Sequence, residues 1–312
     1  MLVKILGSAA GGGFPQWNCC CSNCRSLRAG TFHGKPRTQA QVAISADSEH
    51  WFLLGASPDL RAQIESTPEL HPRTEGETAR HSPICGAVLL NADIDHVLGL
   101  LLMRELQPLH AYATLSVRRI LTEDNSMFRM LQRVDRQVQW MEIASGEAFP
   151  LTTPEGGDSG LRCRALSLGR QYPAYVSSSR QMEIGRREAS LGLIVESSTG
   201  KRLAYMPAVP QLDDALRNEA DSVDLLLFDG TFWSNDELIE VQGSGKTAQE
   251  MGHVPVSSPT GSLVQLAHLK TPRKIYVHIN NTNPMLNEES AEYRQVCDAG
   301  WEIAEDGWQF EL

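Results

Sequence analysis

Apolar residues recur along this chain in short runs separated by polar and turn-forming positions. The runs at 2–7 (LVKILG), 40–45, 51–57, 86–92 and 109–114, and again at 191–197, 201–207, 223–230 and 274–280, are rich in Val, Ile, Leu and Tyr. Gly, Pro, Ser or Asp bounds them, which is the pattern of buried or half-buried strands. Between these runs the apolar spacing changes to a helical period. It predicts helices over 58–66, 96–106, 115–122, 126–134, 211–220, 235–241, 260–269 and 287–298. The first opens with Ser57-Pro58-Asp59, a serine suited to capping followed by a proline suited to the first helical position. Residues 67–84 and 151–160 are polar and rich in Pro, Gly and Thr, and read as surface loops inside a domain. Strands and helices mixed in this way predict an α/β fold with substantial sheet.

Composition narrows the function more than the fold. At 312 residues the chain can build one large domain or two small ones. A net charge of −10, with no basic run, excludes a general nucleic-acid binder, which needs clustered Lys and Arg to neutralise phosphates. The longest apolar run, VLGLLLM at 97–103, is far shorter than a spanning helix, and residues 1–17 lack the apolar core of a signal peptide. A soluble, cytoplasmic protein without membrane insertion is expected.

Cysteine placement is the first chemical signal. Of seven cysteines, Cys19, Cys20, Cys21 and Cys24 fall within six residues, too crowded for a disulfide framework. Cys19, Cys21 and Cys24 make C-x-C-x-x-C, a knuckle that can point three thiolates at one tetrahedral zinc ion, with a fourth ligand, most plausibly a histidine, from elsewhere. Spacing alone chooses Cys19 over Cys20, and an exposed thiol or redox loop is the competing reading. GSGKT at 243–247 imitates a P-loop ending, but Glu240 stands where that motif requires glycine, so it reads as a Gly/Ser loop.

The second signal is NADIDHVLG, residues 91–99, between a strand-like and a helix-like segment. It is either a capped helix start or a set of metal ligands. Asp59, Asp229, His253 and His278 lie at the ends of other predicted strands or in loops, where chemistry is commonly assembled. Each alone would be an ordinary turn or strand-end residue. Their common placement is what suggests a site.

These stretches resemble the metallo-β-lactamase superfamily across nearly the whole chain. GSAAGGGFPQWNCCCSNC, SPD, IDHVLGLLLMREL, GHVPVSSPTGSL and HINNTNP together are similar to the pyrroloquinoline quinone (PQQ) biosynthesis protein B family within it. The resemblance implies a single αββα sandwich domain over 1–312, two mixed sheets flanked by helices, with the zinc knuckle at 19–24. The superfamily carries H-x-H-x-D-H where this chain has Asn91, Asp93, Asp95 and His96, and 170–190 holds no histidine to replace the missing ones. The half that survives, Asp95, His96, Asp229 and His278, predicts one active-site ion instead of two.

Two imidazoles with carboxylates and open positions suit non-haem Fe(II), and zinc accepts the same ligands. Asp93 would add a carboxylate ligand or orient His96, and Asp59 would brace the site. His253 stands where the superfamily places a proton donor. Asn91, Asn280 and Asn281 are expected to contact substrate. In related proteins the fourth knuckle ligand follows the late histidine, where this chain has Asn280 and Asn281. The implied activity is iron- and O2-dependent hydroxylation of the tyrosine ring in a Glu-Tyr cross-linked diamino acid from a precursor peptide. The partners are then that amino-acid-derived small molecule or PQQ itself, and a homodimer is compatible with the reading. A carrier aiding PQQ export and a metal-dependent hydrolase are the alternatives.

Overall fold

A computed structural model describes residues 1–73, 80–169, 172–184, 188–269 and 272–312. Part of the expected 67–84 loop, residues 74–79, lies outside the described residues. The fold is α/β, with two mixed sheets of seven strands flanked by helices. The strands are β1 (Leu2–Gly7), β2 (Gln41–Ser45), β3 (Trp51–Leu54), β4 (Ile84–Val88) and β5 (Leu109–Ala113). They continue as β6 (Val138–Glu142), β7 (Ala148–Thr152), β8 (Asp158–Gly169), β9 (Ser190–Ser197) and β10 (Arg202–Met206). The last are β11 (Leu225–Asp229), β12 (Arg273–Val277), β13 (Trp301–Ile303) and β14 (Gln309–Glu311).

The chain divides into two compact units. The first comprises Met1–Leu6, Gln41–Lys201 and Gly307–Leu312. It holds a sheet in the order β14-β1-β2-β3-β4-β5-β6, parallel from β3 to β6, and an antiparallel β7-β8-β9 ladder. Its core gathers Trp51, Leu53, Ala87, Leu89, Ala111 and Ile120. The second unit, Gly7–Ala40 with Arg202–Asp306, carries the parallel strands β10, β11, β12 and β13. There Tyr276 stacks on Trp301 with ring centroids 4.2 Å apart, and Phe228 meets the same indole edge-on.

Most strands fall where the apolar runs place them, because parallel strands buried on both faces read as continuous apolar sequence. Every residue of β11, LLLFD, is buried. The expected loop at 151–160 is corrected: β7 covers 148–152 and β8 begins at Asp158. In β8 Leu161, Cys163 and Ala165 turn inward while Arg162 is exposed and Arg164 half-buried, so the alternation is that of a strand with one wet face. The expected helix at 96–106 is also corrected. A short α-helix, Ile94–Val97, passes into a 3-10 helix, Leu98–Met103, and Ser126–Gln132 is likewise 3-10. GSGKT follows the helix Glu237–Gln242, with Gly243 closing it in the left-handed conformation at φ 75°, a C-cap and not a phosphate loop.

Candidate metal centres

In the first unit the question posed by NADIDHVLG has a geometric answer. Asp93 occupies the N-cap position of Ile94–Val97 but makes no side-chain capping bond. Its carbonyl accepts from His96 N–H at 2.9 Å, and Asn91 Oδ1 accepts from Asp93 N–H at 3.0 Å. Both Asn91 and His96 are buried, while Asp93 and Asp95 are half-buried; Asp95 Oδ2 lies 3.8 Å from His96 Nε2. The backbone of 96–99 is tied to the SPD segment: Ala56 N–H donates to His96 O at 2.7 Å and Gly99 N–H to Ala56 O at 2.9 Å. A Cβ on Gly99 would stand 2.1 Å from Ser57 O, so only glycine permits this approach. Ser57, expected to cap the next helix, instead accepts from Asp59 N–H through its hydroxyl at 3.0 Å; the cap position of Leu60–Glu65 is Asp59, without a side-chain capping bond. Tyr175, which the sequence pattern does not single out, donates its phenol hydrogen to Ala92 O.

The second unit assembles Asp229, His253 and His278. All three are buried, and they offer ligand atoms within 4.8 Å of one another. Asp229 ends β11, His253 follows a left-handed turn at Gly252, and His278 follows β12 with φ 56°, a region uncommon for any residue but glycine. Asp229 Oδ1 accepts from the Thr231 backbone at 3.0 Å and hydroxyl at 2.7 Å. Its Oδ2 accepts from Val209 N–H at 2.8 Å and from His253 Nδ1, also at 2.8 Å. Those four contacts occupy the four acceptor sites of a carboxylate. Asp229 would bond a metal only by exchanging one of them. Because His253 Nδ1 donates to the carboxylate, its Nε2 is the nitrogen available for proton transfer or ligation.

Thr231, another residue that sequence reasoning does not reach, is the hub of this group. Its Oγ1 lies 2.8 Å from His278 Nδ1, 2.9 Å from His278 O and 3.0 Å from His253 Nδ1. The two imidazoles stack at 5.4 Å between centroids, each held through Nδ1. The only sequence signal for Thr231 is its place two residues after a strand-end aspartate, where short hydroxyl side chains commonly bond local backbone.

The knuckle lies in the same unit. Cys19, Cys21 and Cys24 come together with Sγ atoms within 4.8 Å of one another, while Cys20 is exposed, which separates the two candidates that spacing left open. Cys21 caps the helix Ser22–Arg28, its Sγ accepting from Cys24 N–H at 3.5 Å, and Arg28 closes the loop on the carbonyls of Cys19 and Gln16. Burial, with Cys21 adding to it, pushes the Cys24 thiol up to about 12. Three thiols so placed fit a thiophilic divalent ion. Asn281, expected at the substrate, is buried, and its carboxamide faces the three sulfurs. Asn280 is half-buried and donates to Thr282 Oγ1 at 2.5 Å. Beside it Glu237 is buried, accepting from Trp233 N–H at 2.6 Å and from the Thr282 hydroxyl; burial raises its carboxyl to about 7. Among the described residues no helix is long and apolar enough to cross a membrane.

Comparison with known proteins agrees with this architecture. The Beta-lactamase superfamily domain matches residues 50–279, a span that leaves the cysteine knuckle outside it. Coenzyme PQQ synthesis protein B of Methylorubrum extorquens (strain PA1) is 42% identical over the whole of both chains. Its counterpart from Nitrosococcus oceani is 42% identical over 98% of each. The zinc-bound crystal structure of PqqB from Methylobacterium extorquens superposes with a TM-score of 0.90 at 41% identity, again covering both chains fully. A diphosphatase of the PhnP family, 18% identical with a TM-score of 0.66, shares the fold. With full-length identity well above what chance allows and an architecture that coincides, the chain belongs to the coenzyme PQQ synthesis protein B family of the beta-lactamase superfamily.

Proposed function

We propose that this chain is the iron- and O2-dependent oxygenase of PQQ biosynthesis that hydroxylates the tyrosine ring of a Glu-Tyr cross-linked diamino acid. The observation that carries the reading is the buried Asp229–His253–His278 group, in which each imidazole is anchored through Nδ1 and so presents Nε2. A site that retains imidazole and carboxylate but has Asn91 and Asp93 in place of two leading histidines suits a single ion better than a two-metal hydrolase. A pure carrier would need none of these ligands.

When bound, a ferrous ion would supply the oxygen-activating chemistry that no side chain possesses. The chain's own groups do the rest. In this reading Asp95, His96, Asp229 and His278 are the ion-holding residues, and Thr231 fixes the ring orientation of His278. His253, oriented by Asp229, takes or returns the ring proton through Nε2. Asp93, whose carboxylate makes no capping bond, serves as a second base or orients His96. Asn91 and Asn280 line the substrate, and Asp59 braces the SPD segment. Zinc belongs at the knuckle.

The test is anaerobic Fe(II) loading of the protein, then exposure to labelled O2 with the Glu-Tyr diamino acid and mass analysis of the product. Labelled oxygen on the ring, lost in His96→Ala and His278→Ala, is the expected outcome. Zinc at the cysteines alone, with PQQ binding but no turnover under any metal, would sink the oxygenase and favour the carrier.

A further inference from the structure

The loop that carries Asp93, Asp95 and His96 is fastened at both ends by backbone bonds. On one side Leu191 N–H donates to Leu90 O at 2.9 Å, and on the other Ala56 N–H donates to His96 O at 2.7 Å. Between them lies Ala92 O, one residue before Asp93, and its partner is a side chain: the Tyr175 hydroxyl donates to it. Burial, with the charges of Asp93 and Asp124 adding to it, pushes the phenol up, so the hydroxyl stays protonated and remains a donor. The turn that bears Tyr175 is firmly mounted. Val176 and Ile184 are buried in the same core as Leu89, Ala92 and Val97. Ser177 caps the helix Ser178–Glu183, its hydroxyl accepting from Arg180 N–H at 3.3 Å. Arg180 then reaches the end of the helix Leu115–Thr122, donating to Glu123 at 2.6 Å and Asp124 at 2.9 Å, with a third bond to Glu183 at 2.9 Å. Only 15% of its side chain is exposed, so the fork is better shielded from water than an ordinary surface ion pair.

We propose that Tyr175 is a positioning residue for the ion-holding loop, clamping Ala92 O so that Asp93, Asp95 and His96 keep one arrangement before an ion arrives. The role rests on the reading of Asp95 and His96 as ligands. Residues 170–190 supply no histidine that could complete a second ion beside Asn91 and Asp93. The same stretch supplies a phenol instead, so a hydrogen bond pins the loop where a second ion is missing its ligands. Without that bond Ala92 O turns to solvent, which already reaches the Tyr175 side chain, and the residues that follow lose their shared reference point. Ligands held in one arrangement bind an ion more tightly than ligands that must first be ordered, and the groups that hold them commonly contribute 10–100-fold.

Tyr175→Phe keeps the ring and removes only the hydroxyl, and with 42% of the residue in solvent it leaves the packing in place. Tyr172→Phe is the matched control: that hydroxyl, from the same segment, donates to Ile184 O at 2.9 Å and not to the loop. Full-length native and variant proteins are titrated with cobalt while the visible bands are followed. Bands that vanish in His96→Ala report the ion at the loop, and sulfur-to-metal bands report the knuckle. Tyr175→Phe is expected to weaken the loop ion by about 10–100-fold and to shift its bands, with the sulfur bands unchanged. Tyr172→Phe should leave both sets native. In the metal-free proteins, amide hydrogen exchange over residues 89–99 should be faster in Tyr175→Phe and native in Tyr172→Phe. Native affinity, bands and exchange in Tyr175→Phe, or equal changes in the two variants, overturn the clamp. Cobalt bands that all survive His96→Ala would instead sink the metal reading of the loop, and the role of Tyr175 with it.

Discussion

Glu237 offers a stability measurement whose sign and size are set by its surroundings. The carboxyl is 5% exposed, and burial lifts it from its ordinary value of 4.5 to about 7, against the lowering effect of hydrogen bonds from Thr282, Trp233, Asn280 and Ser234. The folded chain thus binds this proton more tightly than the unfolded chain does. The associated stability is fully present below the unfolded value and is lost as pH rises through the folded one. Integrated from 4.5 to about 7, the loss is roughly 3 kcal/mol at about 1.4 kcal/mol for each pH unit. Glu237→Gln mimics the protonated acid: its oxygen can accept from Trp233 N–H and its amide can face Thr282, whose hydroxyl can turn to accept. The variant should therefore lack this loss. Melting curves of both proteins from about pH 5 to about pH 8 should show the variant gaining on the native chain by roughly 6 °C, taking about 2 °C for each kcal/mol in a chain of this size. Parallel curves over that range would show that Glu237 titrates normally, and the argument from its burial would be wrong.

Other perturbations test other parts of the site. Thr231→Val keeps the shape but removes the hydroxyl shared by Asp229, His253 and His278, and should cost about 1–3 kcal/mol in denaturant unfolding and about 10–100-fold in active-site metal affinity; loss of neither would remove Thr231 as hub. Gly99→Ala forces a carbon against Ser57 O and should destabilise by at least about 1–3 kcal/mol, read from the urea midpoint, with a variant as stable as native refuting the close approach. On the proposed reading, Asp93→Asn, which removes the negative charge beside the Tyr175 phenol, should lower ring hydroxylation in the labelled-O2 assay, and unchanged turnover would remove Asp93 from the chemistry.

How far the sequence could be read depended on whether a residue's role is local. LLLFD announces β11 because a central parallel strand is apolar on both faces. β8 was hidden because Asp158, Ser159 and Gly160 carry turn chemistry and its arginines break the apolar run, although Leu161, Cys163 and Ala165 keep the inward alternation. The division at Val97 into α and 3-10 helix was not legible either, since its cause is the approach of Gly99 to residues 56 and 57. At the site, motif and spacing found Asp229, His253 and His278, which the fold gathers. What they could not find was how each is held, with Thr231 at the hub and the acceptor sites of Asp229 filled, or that the Asn281 carboxamide faces the sulfurs.

That last difference bears on why a segment as polar as HINNTN is buried at all. His278 holds a left-handed backbone, a conformation costing about 1–2 kcal/mol in a residue with a side chain. It persists because the next five residues are each tied down. Ile279 N–H donates to Ser8 O and Ile279 O accepts from Ala10 N–H, both at 2.9 Å, while Asn280 N–H donates to Thr231 O at 3.0 Å. Asn281 faces the cysteines, Thr282 the Glu237 carboxyl, and Asn283 the carbonyls of Gly230 and Thr231. Each buried polar side chain is thereby partnered, which is the condition for burying it without a large penalty. The loop is polar because its side chains act as fasteners. Their common effect is to set one imidazole, that of His278, in the single orientation its neighbours Thr231 and His253 require.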